Sequence, residues 1–454
     1  MSTLYLHIGQ CGVQIGQEFW SYAADVASQD VDIKHALWTS GKNTFNPLAL
    51  FLDSERKVVN RFALQLKTNK KHRQRKVDIL SNSLFCNSGC GSNWAFGFNR
   101  LPSQPMKQVN VKRNDLGYGK LSQLDDDSTV LDASLELIRL KMETCDCFSG
   151  FVGVHSLGGG TGSGYGSRLC QELRDLFPTA YRLWNVIMPH DLGDSPTQHY
   201  NQLLSLSVLQ ENTDGIVLFD SDAIFNSLSL KHTIVDMADV NKVISDSMLA
   251  CYLPTTSVSN MCDGISCNLE PYELIRCCCP IPSLKLLQFN HVKQKLSSKS
   301  MHGKLVWTDL CKTITNQARQ VSQSHVNYPC LGAVCICRGI DGDYIPEAAS
   351  IANKLKSSFQ FVKWNPYPVD IWLDENIKSQ KHFQKPKSIT ICANLSSSSI
   401  YCQNVLDKSL AMFNSGAYLH WYEKYKTNRC DFDASFEVVR SVVDDYKSAI
   451  NTVK

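Results

Sequence analysis

In the first half of the chain, short apolar runs alternate with longer stretches of helical spacing, which predicts an α/β layer on a largely parallel sheet. Leu4, Leu6 and Ile8 alternate with Tyr5 and His7, and Gly9 and Gly12 then open a helical stretch through Ile15 and Phe19. A second run, residues 48–52, ends at Asp53 and Glu55, and a third, residues 151–157, leads straight into a glycine cluster. These carboxylates and glycines fall at the carboxyl ends of predicted strands, where open α/β sheets bind ligands.

Further on, Ile234, Met237, Val240, Ile244 and Met248 share one helical face, and the stretch stops at Pro254. Strand patterns at 333–337 and 389–393 place a second α/β unit between about residues 255 and 395. The C-terminal part reads as two helices, near 400–415 and 432–448. Phe432, Phe436, Val439, Val443 and Tyr446 form the second one's stripe, with Asp431 or Asp433 available as cap. No internal repeat or low-complexity tail is visible.

Composition narrows the classes. The 454 residues are 43% hydrophobic and 20% charged, too apolar for a disordered chain. With 46 Lys and Arg against 43 Asp and Glu, the formal charge is +3, too balanced to predict a nucleic-acid or membrane-surface partner. No run approaches the ~18 apolar residues of a membrane span, and the N-terminus lacks a signal-peptide pattern, which predicts a cytosolic protein. The 19 Cys are then expected as reduced, buried thiols. Cys277-Cys278-Cys279, Cys145/Cys147, Cys335/Cys337 and Cys86/Cys90 lack the paired C-x-x-C spacing and His complement of a metal site. A basic stretch at 67–76 and a Pro-, Gly- and Asp-rich stretch at 101–127 read as solvated surface.

The chemistry concentrates in Gly158-Gly159-Gly160-Thr161-Gly162-Ser163-Gly164, between a predicted strand and a helix expected to begin near Tyr165. Residues without side chains let backbone N–H groups close on a phosphate. The hydroxyls of Thr161 and Ser163 add donors, and the helix N-terminus favours the negative charge. The lysine-containing P-loop pattern does not occur. A dinucleotide fingerprint, the mark of a dehydrogenase, is the runner-up. It fits less well, because Gly9-Gln10-Cys11-Gly12 after the first strand lacks the third glycine.

Three motifs in order, Gly9-Gln10-Cys11-Gly12-Val13-Gln14-Ile15-Gly16, Gly89-Cys90-Gly91-Ser92-Asn93-Trp94-Ala95 and Gly158 to Gly164, resemble the tubulin family. The likeness continues through Cys145 to Phe151, Glu211-Asn212-Thr213-Asp214, Arg338-Gly339, Phe359 to Val362 with Trp364, and His420-Trp421-Tyr422, covering essentially the whole chain. It implies a tubulin-like α/β fold: a Rossmann-like GTP-binding domain over 1–233, a core helix over 234–253, an intermediate α/β domain over 254–395 and a C-terminal helical region over 396–454.

The resemblance also implies roles. Gln10, Cys11 and Gln14 would line the first nucleotide loop, and Asp53 and Glu55 would stand near Mg2+. Cys90, Gly91 and Ser92 would sense the terminal phosphate of GTP, with Ser92 in place of the usual Asn. Ser156, Gly158, Gly159, Gly160, Thr161 and Gly162 would cradle the phosphates, and Asp194 would contact the ribose, with Gln198 where tubulins often carry Glu. Asn241 would read guanine, whereas Ser221 replaces a second guanine-reading Asn and Met237 replaces an aromatic. In the family, hydrolysis occurs across a subunit contact, and Glu273, beside Glu270 and Asn268, stands where the catalytic Glu of alpha-tubulin stands. The chain is slightly basic, and residues 444–454 are not the strongly acidic tail of alpha- and beta-tubulins. Residues 92–97, 145–151 and 222–224, with Met412, Phe413, Ala417 and Tyr418, are most similar to delta- and zeta-tubulins, members associated with centrioles and basal bodies. The resemblance thus implies a GTP- or GDP-binding cytoskeletal protein of the cytoplasm and the centriole or basal body. Other tubulins or centriolar proteins would be its partners, and the cytosolic chaperonin its folding aid. The alternative is a nucleotide-bound scaffold that does not hydrolyse.

Overall fold

The computed structural model describes residues 2–27, 36–39, 46–55, 82–85, 89–105, 128–190, 193, 195–230, 233–257, 270–294, 303–320, 328–340, 344–375 and 387–451. The basic stretch 67–76, most of 101–127, Asn268 and Asp194 lie outside them. The chain forms two compact units, Met1–Ser245 with Gln403–Ser441, and Asp246–Cys402 with Val442–Lys454.

The sheet of the first unit runs β3 (Ser83–Phe85), β2 (Ala49–Asp53), β1 (Ser2–Ile8), β4 (Phe148–Ser156), β5 (Tyr181–Met188), β6 (Gly215–Asp220), every neighbouring pair parallel. Its helices are α1 (Gly9–Ala27), α2 (Val130–Met142), α3 (Gly166–Leu176), α4 (Gln198–Asn212) and α5 (Ser221–Ser229). From β1 the chain builds outward on one side through β2 and β3, then returns to build the other side from β4. The order therefore reverses between β1 and β4, and a doubly wound sheet opens its ligand crevice at such a reversal, beyond the strands' carboxyl ends. The loops that follow β1 and β4 are the two glycine-bearing ones.

The alternation in β1 reads as a half-buried strand, yet Tyr5 and His7 are as buried as Leu4, Leu6 and Ile8. Central strands of a parallel sheet are covered on both faces, so the residues between the aliphatics are also enclosed. His7 stacks on Phe51 with ring centroids 5.0 Å apart, and its Nε2 accepts from the Trp20 indole N–H at 2.9 Å. Burial pushes His7 down to about 3 and His155 on β4 down to about 4 from the ordinary 6.5. Both rings are neutral in the fold, so the unfolded chain binds more protons at pH values between the folded and unfolded pKa. Their contribution is complete above about pH 6.5 and is lost as the pH falls, down to about 4 for His155 and about 3 for His7. The urea midpoint is expected to be lower at pH 5 than at pH 7, and His155→Leu to shrink that difference.

The second unit carries a mixed sheet in the order β8 (Leu286–Lys293), β11 (Ser388–Leu395), β9 (Cys330–Ile340), β10 (Val369–Glu375), β7 (Thr256–Ser257). Only β9 and β10 are parallel neighbours. Helices α7 (Pro271–Cys278), α8 (Gly303–Gln320) and α9 (Tyr344–Ser358) belong to it. Trp307, Leu310 and Ile314 of α8 and Ile351 and Leu355 of α9 pack with Cys335, Cys337, Ile389 and Ile391 of the sheet. The Cys side chains here serve as core, and among the described residues no group of His, Cys, Asp and Glu could hold a metal ion by itself.

Helix α6 (Met237–Tyr252) buries Val240, Ile244 and Met248, while Ile234 is 87% exposed and Met237 51% exposed. The helix starts later than its apolar spacing predicts because Asp236 and Asp239 cap it reciprocally. The Asp239 N–H donates to Asp236 Oδ1 at 2.9 Å, and the Asp236 N–H to Asp239 Oδ2 at 3.2 Å. Helices α10 (Ser398–Asn414), α11 (Leu419–Glu423) and α12 (Arg429–Asn451) close the chain. The predicted stripe of α12, from Phe432 to Tyr446, is buried, and Asp431 acts at its start by accepting from the Asn428 N–H at 2.7 Å. Among the described residues no helix is long and apolar enough to cross a membrane.

Candidate nucleotide site

β1 turns into α1 through Gly9, whose φ of +70° is a conformation open to glycine at no cost. A Cβ there would stand 2.7 Å from the Gly162 amide nitrogen, so the loops after β1 and β4 meet backbone to backbone. Gln10 is exposed beyond this contact, and Cys11 and Gln14 are half-buried. Gln14 Oε1 accepts from Asn241 Nδ2 at 3.3 Å, which brings the first loop and the base-reading candidate of α6 to one place. Burial pushes the Cys11 thiol up to about 12 and the Cys90 thiol up to about 11, so both are neutral lining groups at physiological pH.

The loop after β4 begins with Ser156, whose Oγ accepts from the Gly158 N–H at 3.2 Å. The Ser163 hydroxyl donates back to the Gly159 carbonyl. Residues Thr161–Tyr165 form a π-helical turn that runs directly into α3, so the helix opens four residues before Tyr165 and its first turn is wide. Such turns recur at functional sites, and the start of a helix is where anions bind. Nothing lies within 4 Å of where a Cβ would stand on Gly159, so this side of the loop is open. A second π-helical turn, Phe96–Arg100, packs against it, and a Cβ on Gly97 would stand 2.2 Å from the Gly160 carbonyl oxygen.

Ser54 Oγ and Thr161 Oγ1 are 2.5 Å apart, tying the end of β2 to the glycine loop. Asp53, 7% exposed, accepts from the Glu55 N–H at 3.4 Å through Oδ1, while its Oδ2 is buried with no hydrogen-bond partner. Burial raises its carboxyl to about 7 from the ordinary 3.8. An oxygen left in this condition fits a divalent cation, which would hold the group ionised. Glu55 is exposed and lies over Gly89. Two carboxylates and two hydroxyls are hard donors suited to Mg2+, which completes its shell with water and substrate phosphates.

Cys90 to Asn93 form a tight turn in which the Asn93 N–H donates to the Cys90 carbonyl at 3.1 Å. Gly91 and Ser92 have φ of +56° and +52°, and both are exposed. Asn201 on α4, fully buried, holds this turn against the glycine loop. Its Nδ2 donates to the carbonyls of Ser92 and Gly158, each at 2.8 Å. Its Oδ1 accepts from the Trp94 N–H at 3.0 Å and the Tyr422 hydroxyl at 2.6 Å. Thr197 Oγ1 adds a bond to the Ser92 carbonyl at 3.1 Å.

Asp220 caps α5 by accepting from the Ala223 N–H at 2.9 Å. Ser221 Oγ is buried and has no hydrogen-bond partner, and Asn241 is buried near Gln14. Met237 is half exposed. Gln198 is committed to the loop before α4, with Nε2 donating to the His190 carbonyl at 3.3 Å. Glu273 belongs to the second unit, on the first turn of α7, where Arg276 Nε donates to it at 2.6 Å.

The motif residues of β1, β2, β4 and the 90–93 turn are thus assembled around one crevice of the first unit. Ser54, Thr197 and Asn201 were not singled out from the sequence, and Asn93 was named there only as part of a motif. In the structure α4 buries a run of polar residues, Gln198, Asn201, Gln202 and Ser205, which an ordinary amphipathic helix would expose.

Compared with protein-family models, residues 2–229 match the GTPase domain of the Tubulin/FtsZ family. The chain belongs to the Tubulin/FtsZ family. A GTPase domain of that family implies binding of GTP or GDP, which agrees with a crevice holding three loop motifs and two unpartnered buried oxygens. Across nearly its whole length this tubulin-family chain is similar to tubulin delta chains. It is 25% identical to that of Canis lupus familiaris, 26% to that of Macaca fascicularis and 25% to that of Homo sapiens, in each case over 98% of this chain and 99% of the relative.

Proposed function

We propose that this tubulin-family chain binds GTP with Mg2+ in the crevice of its first unit and works as a delta- or zeta-type subunit of centriolar or basal-body structures in the cytoplasmic cytoskeleton. Gln10, Cys11, Gln14, Ser156, the loop 158–162, Cys90, Gly91 and Ser92 would line phosphate and sugar, with Asp194 on the ribose. Ser221 and Asn241 would read the base, and Asp53 and Glu55 would hold the cation through water and phosphate oxygens. The carrying observation is Asp53 Oδ2, a buried carboxylate oxygen with no protein partner beside a phosphate-type loop. The resemblance to delta- and zeta-tubulins supports the proposed location, other tubulins or centriolar proteins as partners, and folding with the cytosolic chaperonin. The working division is a GTP-binding domain to residue 233, a core helix over 234–253, an intermediate domain over 254–395 and a C-terminal helical region from 396.

Hydrolysis is proposed to require longitudinal association, with Glu273 of one subunit orienting water at the nucleotide of the next. In the isolated chain Arg276 holds that carboxylate. Glu273→Ala is expected to lower assembly-dependent phosphate release by about 100-fold or more while bound nucleotide stays at the wild-type level. An unchanged rate, measured beside wild type under assembling conditions, contradicts the role of Glu273. Wild-type protein that assembles and releases no phosphate identifies a non-hydrolysing scaffold.

A further inference from the structure

The turn 90–93 is bonded to a segment more than three hundred positions later in sequence. Asn93 Nδ2 donates to the Trp421 carbonyl at 3.0 Å, while its Oδ1 accepts from the Phe96 N–H at 3.2 Å. Asn99 Nδ2 donates to the Tyr425 carbonyl at 2.8 Å and to Thr427 Oγ1 at 3.2 Å. Tyr422 reaches Asn201, which itself holds the Ser92 carbonyl. Tyr200 Oη donates to the Ala417 carbonyl at 3.0 Å, and Phe96 packs edge-on against Tyr425. Residues 416–427 are therefore pinned, mainly through their backbone carbonyls, by side chains of the 93–99 segment and of α4.

A second observation gives this attachment a direction. Among the described residues three non-glycine side chains have positive φ: Ser92 at +52°, Tyr418 at +57° and Lys426 at +62°. All three lie in this network, one in the turn and one on each flank of α11. Such conformations persist only where surrounding contacts enforce them, and they concentrate in elements that switch. Tyr418 and Lys426 flank the residues that the 90–100 segment holds: Asn93 binds the Trp421 carbonyl, and Asn99 binds the Tyr425 carbonyl and Thr427.

We propose that residues 416–427 form a clasp whose closure reports the terminal phosphate of the bound nucleotide. A terminal phosphate held by the amides of Gly91 and Ser92 fixes the turn, and Asn93, Asn99 and Asn201 pass that constraint to the clasp. Without that phosphate the turn relaxes, the strained flanks of α11 are released, and the surface displaying the 43% exposed Trp421 loosens. This proposal rests on the nucleotide reading above.

Hydrogen exchange of the full chain, loaded with Mg2+ and either a non-hydrolysable GTP analogue or GDP, tests it, with bound nucleotide quantified on the same samples. Peptides within 416–427 are expected to exchange about tenfold more slowly with the analogue. In Asn99→Ala, which removes two clasp bonds and no proposed nucleotide contact, exchange there is expected to be fast with both nucleotides. Equal exchange in wild-type protein that demonstrably carries both nucleotides overturns the clasp and leaves the nucleotide reading intact. Failure to load either nucleotide overturns both.

Discussion

Replacing Gly160 with alanine is expected to strip most of the bound guanine nucleotide from the protein. The residue has ordinary helical torsions, φ −86° and ψ −47°, so an alanine backbone is not strained there. The obstacle is space. The new Cβ would stand 2.7 Å from the Asn93 amide nitrogen and 2.8 Å from Cys90 Cβ, and neither backbone nor a short buried side chain can swing away. The 90–93 turn must separate from the glycine loop, and the two jaws of the phosphate crevice move apart. Overpacking of this kind costs about 2 kcal/mol, which corresponds to about a 30-fold loss of affinity if it falls on the bound state. Equilibrium titration with a fluorescent guanine nucleotide checks this. Gly159→Ala is the control for folding: its Cβ meets no protein atom within 4 Å, so its melting temperature is expected to match wild type.

Asn201→Leu is expected to have the largest effect on stability. Leucine fills a similar volume but can neither donate nor accept. Thr197 would still serve the Ser92 carbonyl, whereas the Gly158 carbonyl and the Trp94 N–H would be left buried without a partner. Each such group costs about 1–3 kcal/mol, so a loss of about 4 kcal/mol is expected, together with loss of nucleotide. Asn201→Asp separates the two halves of the amide. It keeps the acceptor for Trp94 and Tyr422 but turns a carboxylate oxygen toward two carbonyls, so it is expected to lose nucleotide nearly as completely. Denaturant unfolding of the nucleotide-free proteins, beside binding measurements, distinguishes the stability effect from the site effect.

These two residues also mark how far the sequence could be read. Gly160 sits in a motif because a loop that must approach both a phosphate and a neighbouring backbone tolerates no side chain, and that constraint is written in residue types. The apolar run of β4 leading into it and the stripe of α12 were legible for the same reason: burial of a whole strand or one helix face leaves a periodic trace. Asn201 carries no such trace. Its work is to join three backbone segments far apart in sequence, and one amide suffices wherever the fold brings them together. The start of α6 was lost to a competing signal: Ile234 and Met237 continue the apolar period, but the reciprocal pair Asp236 and Asp239 sets the helix boundary between them. The burial of Tyr5 and His7 followed from sheet coverage, which depends on helices elsewhere in the chain.

The wild-type protein, expressed with its chaperonin and purified with Mg2+, should be denatured and its released nucleotide separated by chromatography. GTP or GDP at about one per chain is the expected result, with Ser221 and Asn241 sufficient to select guanine. Absence of nucleotide, or recovery of an adenine nucleotide in its place, would contradict the account.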